Sequence, residues 1–163
     1  MELPRRKANR LLCYDYKNPG CYFVTICTME KRKMFWESEQ LMDGRPVLSE
    51  AGAIAENCIR EIPQHYPRIR VEQYNVMPNH VHIILRIEEG NTVPLSKIVG
   101  QMKQAVSHAL GHGIWQKSYH DHVIRCEKDY MKIWNYVAYN HLKWKEDCFC
   151  SDSDGYQPTT KPL

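Results

Sequence analysis

No C-x-x-C pair occurs in this chain, and its seven cysteines are odd in number, so neither a ribbon-type zinc site nor a closed disulfide framework is expected. The two thiols of "CFC", Cys148 and Cys150, are too close in sequence to bridge each other. No apolar run approaches the ~20 residues that span a bilayer. The basic N-terminus lacks the apolar stretch of an export signal. These absences point to a reduced, cytoplasmic protein with free thiols and no membrane partner. A glycine-rich nucleotide loop is missing too, so the chain does not read as an ATP-driven enzyme. Nor is there a strong global field: the net charge is only +3, and cationic character is concentrated locally in "PRRKANR" at residues 4–10.

What is present describes one soluble domain. A hydrophobic content of 43% in 163 residues is enough for a core without metal or disulfide staples. Residues 1–150 read as the domain, residues 1–20 as a basic N-terminal arm, and the polar "SDSDGYQPTTKPL" (151–163) as a disordered tail. "CYFVTICT" (21–28) is a strand by its aromatic and β-branched content. After the turn "DGRP", residues 49–62 place Ile54, Cys58 and Ile62 at helical spacing behind a Ser49 cap. "IRVEQYNVM" (69–77) alternates as a second strand. Pro78 and Asn79 turn the chain into a third, "HVHIILRI" (80–87). Residues 93–111 carry Leu95, Ile98, Val99, Met102, Val106 and Leu110 on one helical stripe, with proline before and glycine after. A short strand, "YHDHVIR" (119–125), and a final helix (127–144) complete the order. The first six elements give an α+β fold of the ferredoxin-like βαββαβ type. Two helices cover one face of an antiparallel sheet, and the seventh element is available to cover the other.

The chemistry centres on "NHVHIIL". Residues two apart in a strand share a face, so His80 and His82 point together while Val81, Ile83 and Leu85 face the core. Two neutral imidazoles side by side can hold one divalent cation. Hydrogen-bonded histidines on a partly exposed strand are the structural alternative. His120 and His122 repeat the spacing, but Asp121 between them would face a core unless this is an edge strand; that pair reads as structural or DNA-facing. His108 and His112 flank Gly111 and read as capping residues. In the last helix, Tyr136 and Asn140 lie one turn apart on a shared face. They offer a phenol and a hard carbonyl oxygen. Periodicity does not select Tyr136 over Tyr130, Trp134 or Tyr139.

Four stretches, "YDYKNPGCYFVTICT", "VMPNHVHIIL", "WQKSYHDHVIR" and "YVAYNHLKWKEDCF", follow one another in an order that resembles the single-tyrosine HUH transposases. The likeness is closest to the REP-associated tyrosine transposase branch and runs from about Arg5 to Asp147. It implies a metal-dependent enzyme that cuts and rejoins single-stranded DNA at hairpin-bearing sites through a 5′-phosphotyrosine. By the same resemblance His80 and His82 hold the divalent metal, Mg2+ or Mn2+. Asn140 is then the third ligand and Tyr136 the nucleophile. The family often has proline directly after that asparagine. Here His141 stands in its place, and the helix is expected to run on. Monomers and homodimers are both implied. Candidate DNA contacts are Arg5, Arg6, Lys103, Lys117, Tyr119 and Arg125, with Trp115 available to stack on a base. A second class of function stays open: a hairpin-binding module without cleavage, using the aromatics of "CYFVTICT".

Overall fold

A computed structural model of the chain describes residues 11 and 14–147. Arg5, Arg6, Cys148, Cys150 and the 151–163 tail lie outside the described residues. Four strands and three helices follow in the order β1 (Gly20–Cys27), α1 (Glu50–His65), β2 (Ile69–Val76), β3 (His80–Ile87), α2 (Leu95–Leu110), β4 (His120–Ile124) and α3 (Glu127–Tyr139). The strands pair in the order β2-β3-β1-β4, each neighbour antiparallel, which is the ferredoxin-like arrangement.

Side-chain alternation then sorts the sheet into two faces. Tyr22, Val24 and Ile26 of β1, with Val81, Ile83, Leu85 and Ile87 of β3, meet Ala55, Ile59 and Ile62 of α1 and Leu95, Ile98 and Met102 of α2. Each fully buried aliphatic side chain there contributes about 1.5–3 kcal/mol. The α1 backbone comes close to the loop after β1, where a Cβ on Gly52 would collide with the Phe35 carbonyl. Ser49 caps α1, its Oγ accepting from the Gly52 N–H at 3.1 Å and donating to the Met34 carbonyl. On the opposite face a smaller core forms from Cys21, Ile84, Ile124, Ile133 and Val137, with Phe23, Tyr130 and Trp134 at its margin. That is α3 supplying the second cover.

Two boundaries differ from the sequence reading by more than two residues. α1 passes Pro63 and ends at His65, because a proline in the last turn costs the helix one internal hydrogen bond and the Tyr66 N–H still reaches the Ile62 carbonyl at 3.0 Å. The final α-helix stops at Tyr139 instead of running to 144, and residues Asn140–Glu146 wind on as a 3-10 helix. The winding is broken by a kink at Lys143, and Trp144 beyond it is buried. Its ring stands 6.2 Å from those of both Trp36 and His80.

Candidate active site

Buried polar side chains gather at one end of the sheet, on the α3 side. Thr25, Asn75, Asn79, His80, His82 and Asn140 are all buried there, where hydrocarbon would be the economical choice. Each strand contributes by register. Thr25 of β1 and Asn75 of β2 both sit opposite His82, and Cys27 sits opposite His80.

The histidines are held from behind. The Nδ1 of His82 lies 2.9 Å from Thr25 Oγ1, and the Nδ1 of His80 lies 2.8 Å from Asn79 Oδ1. Asn79 is fixed in turn, its amide donating to the Lys31 carbonyl at 3.2 Å. With Asn79 Oδ1 an acceptor, the His80 proton belongs on Nδ1 and its Nε2 lone pair turns inward. The two Nε2 atoms converge at 3.0 Å. Burial holds both imidazoles far below their ordinary range, His82 down to about 3 and His80 well below 6.5 with its neighbour adding to the effect. Neutral rings are the form that ligates a metal.

A third donor completes the cluster. Asp147, just past the 3-10 turn, brings Oδ2 to 3.9 Å from His80 Nε2, its side chain only 1% exposed. Ligand atoms of His80, His82 and Asp147 all lie within 4.8 Å of one another. The set fits a divalent ion: two ligands at right angles, each about 2.1 Å from a metal, stand about 3.0 Å apart. Imidazole nitrogen with carboxylate oxygen is a mixed donor set open to first-row divalent cations, Mn2+ among them. Asn140, expected as the third ligand, is buried beside this group and donates from Nδ2 to Asp147 Oδ2 at 2.8 Å.

Tyr136 comes over the cluster from α3 of the same chain. Its ring centroid is 5.3 Å from that of His82 and 6.2 Å from Phe23, which it meets edge-on. Three contacts fix the helix that carries it. Asn75 Nδ2 donates to the Val137 carbonyl at 2.8 Å and lies 3.0 Å from His141 Nδ1; the Tyr130 hydroxyl donates to Glu72 at 3.0 Å; and Asp129 pairs with His122 at 2.9 Å. The imidazoles are shut off from solvent, at 0% and 1% exposure, beneath Tyr136, Trp144 and Asp147, whereas Tyr136 itself is 39% exposed. The cover is thus made of reactive groups, and its tyrosine side faces outward.

The remaining sequence candidates divide. Trp115 packs against Phe35 in the main core with its indole N–H on the Lys103 carbonyl, and Tyr119 is buried in the same core, so neither offers a stacking surface. Lys103 is tied to the Gln116 carbonyl at 2.7 Å. Lys117 and Arg125 are exposed. Lys117 lines a surface groove of about 420 Å3 with Arg32 and Met29. Tyr22 faces the helical core and Phe23 lies under α3, which leaves no aromatic platform open on the central strands among the described residues. Thr25, Asn79 and Asp147 were not singled out by the sequence. Asn79 reads as a turn former, and Asp147 belongs to no motif.

A βαββαβ sheet thus brings paired imidazoles and a carboxylate together beneath a helix-borne tyrosine. The chain belongs to the IS200-like transposase family, whose profile matches residues 20–140. Within that family it stands with the REP-associated tyrosine transposases. The one from Escherichia coli K12 is 32% identical over 129 residues, covering 78% of this chain and 70% of that protein. An uncharacterized protein of Haemophilus influenzae is 28% identical over 167 residues, covering 87% and 91% respectively. A solved REP-associated tyrosine transposase, bound to a REP hairpin, superposes with a TM-score of 0.60 at 24% identity, over 88% of this chain and 74% of that one. The chain is a transposase. No helix among the described residues is long and apolar enough to cross a membrane.

Proposed function

We propose that this transposase cuts and rejoins single-stranded DNA beside hairpins, with Tyr136 as the nucleophile and a divalent metal, Mg2+ or Mn2+, at His80, His82 and Asp147. The observation that carries the reading is the convergence of two buried, back-bonded imidazoles, one of them against the ring of an exposed tyrosine of the same chain. Asn140 orients the Asp147 carboxylate through its amide. A bound cation would supply Lewis-acid stabilisation of the phosphoryl oxygens.

The chain's own groups do the rest. Thr25 and Asn79 hold the imidazoles with Nε2 inward. α3 carries Tyr136 to the scissile phosphodiester, where its oxygen attacks phosphorus and the 3′-oxygen leaves. A free phenol ionises near pH 10, so the site must favour phenolate as the bond forms. The 5′-phosphotyrosine keeps the phosphoester, and joining to a new 3′-hydroxyl needs no ATP. The hairpin partner is inferred from the REP hairpin held by the structural neighbour. We infer a cytoplasmic protein, monomer or homodimer, whose site is assembled from residues of one chain.

The test uses a labelled pool of single-stranded hairpin oligonucleotides with randomised flanks, incubated with Mg2+ or Mn2+. Wild type should give a covalent adduct that survives SDS, whereas Tyr136→Phe should bind DNA and form none. An adduct persisting in Tyr136→Phe removes the assignment.

A further inference from the structure

The row of side chains across the site face ends on the edge strand at His120. Register sets His120 opposite Thr25 and Thr25 opposite His82, so all three project from the same face in line. At about 4.8 Å per strand the α-carbons of His120 and His82 are roughly 10 Å apart. Asp121 points to the other face, which an edge strand tolerates.

Neighbouring polar groups on this part of the face are already engaged. Thr25 serves His82, and His122 is paired with Asp129. His120 is half-buried, and its ring makes no hydrogen bond among the described residues. α3 crosses this sheet face obliquely, its start on His122 and Ile124 of β4. Towards β2 the end of α3 lies on Asn75 through Val137 and His141. At His120, the end of β4 away from the start of α3, the face ends at the edge strand. A DNA strand whose phosphodiester meets Tyr136 and the histidine pair therefore leaves across β1 and β4, past His120.

We propose that His120 is a substrate-contacting residue of this site, donating a hydrogen bond from its imidazole to the DNA backbone between β4 and Tyr136. It acts as a donor, neither as metal ligand nor as nucleophile; an imidazole keeps at least one N–H in every protonation state available here. The inference rests on the strand-cleaving reading above.

The experiment compares wild type, His120→Gln, His120→Leu and His120→Ala in single-turnover adduct formation with the same hairpin pool and saturating Mn2+. Mn2+ affinity is read separately by electron paramagnetic resonance, and folding by thermal melting. His120→Leu and His120→Ala should form adduct roughly ten- to a hundredfold more slowly, as expected for loss of a donor to a charged group. His120→Gln should recover most of that loss, with Mn2+ affinity and melting unchanged in any variant that folds. Adduct formation at the wild-type rate in either apolar variant overturns the role, and so does a matching loss of Mn2+ affinity. A wild-type protein that forms no adduct overturns the strand-cleaving reading, and this inference with it.

Discussion

Lowering the pH should destabilise the metal-free protein well before its carboxylates protonate. His80 and His82 are sealed in the fold, and burial depresses both, His82 to about 3 from an ordinary 6.5. The unfolded chain therefore binds more protons than the folded one wherever the pH lies between those values. Stability must then rise with pH through that window and fall as the medium is acidified below 6.5. At pH 5 a histidine free to titrate only when unfolded costs about 2 kcal/mol, and two cost about 4, against almost nothing at pH 7.5. Asp147, 3.9 Å from His80, would steady a proton there and pull the sum toward the single-histidine figure. A domain of this size holds about 5–15 kcal/mol in all, so the loss is a large fraction. Urea denaturation in EDTA at pH 7.5, 6.5, 5.5 and 5.0 measures it, read as a shift in midpoint at constant slope. Saturating Mn2+ should raise stability at pH 7.5 and do so less at pH 5, where protons compete for the same nitrogens. A midpoint that stays flat from pH 7.5 to 5 would mean the imidazoles accept protons in place, and the sealed-pair geometry would be wrong.

Asn79→Ala removes the acceptor behind His80 and should weaken Mn2+ binding by roughly 10–100-fold, while Asn79→Asp keeps it; titration followed by electron paramagnetic resonance separates the two. Asp147→Ala should cost more Mn2+ affinity than Asn140→Ala if the carboxylate ligates and the amide orients; the reverse order would restore Asn140 as the ligand. Gly52→Ala should destabilise the fold by roughly 1–3 kcal/mol, because its methyl meets the Phe35 backbone, which cannot swing aside as a side chain would. Equal urea midpoints for that variant and wild type would show that α1 can back away from the loop. Tyr136→Phe, by contrast, should change stability by no more than about 0.5 kcal/mol, since the ring stays and its edge is solvated.

The sheet was legible because period-two and period-3.6 patterns are dictated by burial, and burial is what a local window of sequence reports. β3 runs over the very residues the pattern marked, His80–Ile87, and its inward-facing aliphatics fix the opposite direction for the two imidazoles. The end of α3 was not legible for the complementary reason. Nothing in "NHLKWKED" signals that the helix will tighten at Asn140; that change follows from burying Trp144 beside Trp36 and His80, two residues from distant strands and loops. Tyr136 and Trp115 make the same point from the side of function. Both are aromatics at amphipathic positions, and only tertiary contact separates the one that lies over a histidine from the one locked against Phe35.

Asp147 shows how far such consequences travel. In sequence it is one acid among several in a charged stretch, 65 positions from His82 by the difference 147 − 82. Its carboxylate reaches His80 from just past the 3-10 segment, whose winding is broken at Lys143 and which ends in extended backbone at Asp147. The replacement of the family's usual proline by His141 bears on the same spot. His141 Nδ1 meets Asn75, the side chain that also takes the Val137 carbonyl at the helix end. This chain anchors the turn with a hydrogen-bonded imidazole and places Asp147 against His80. The turn after α3 therefore belongs to the proposed metal site as much as the strand that carries the two histidines does.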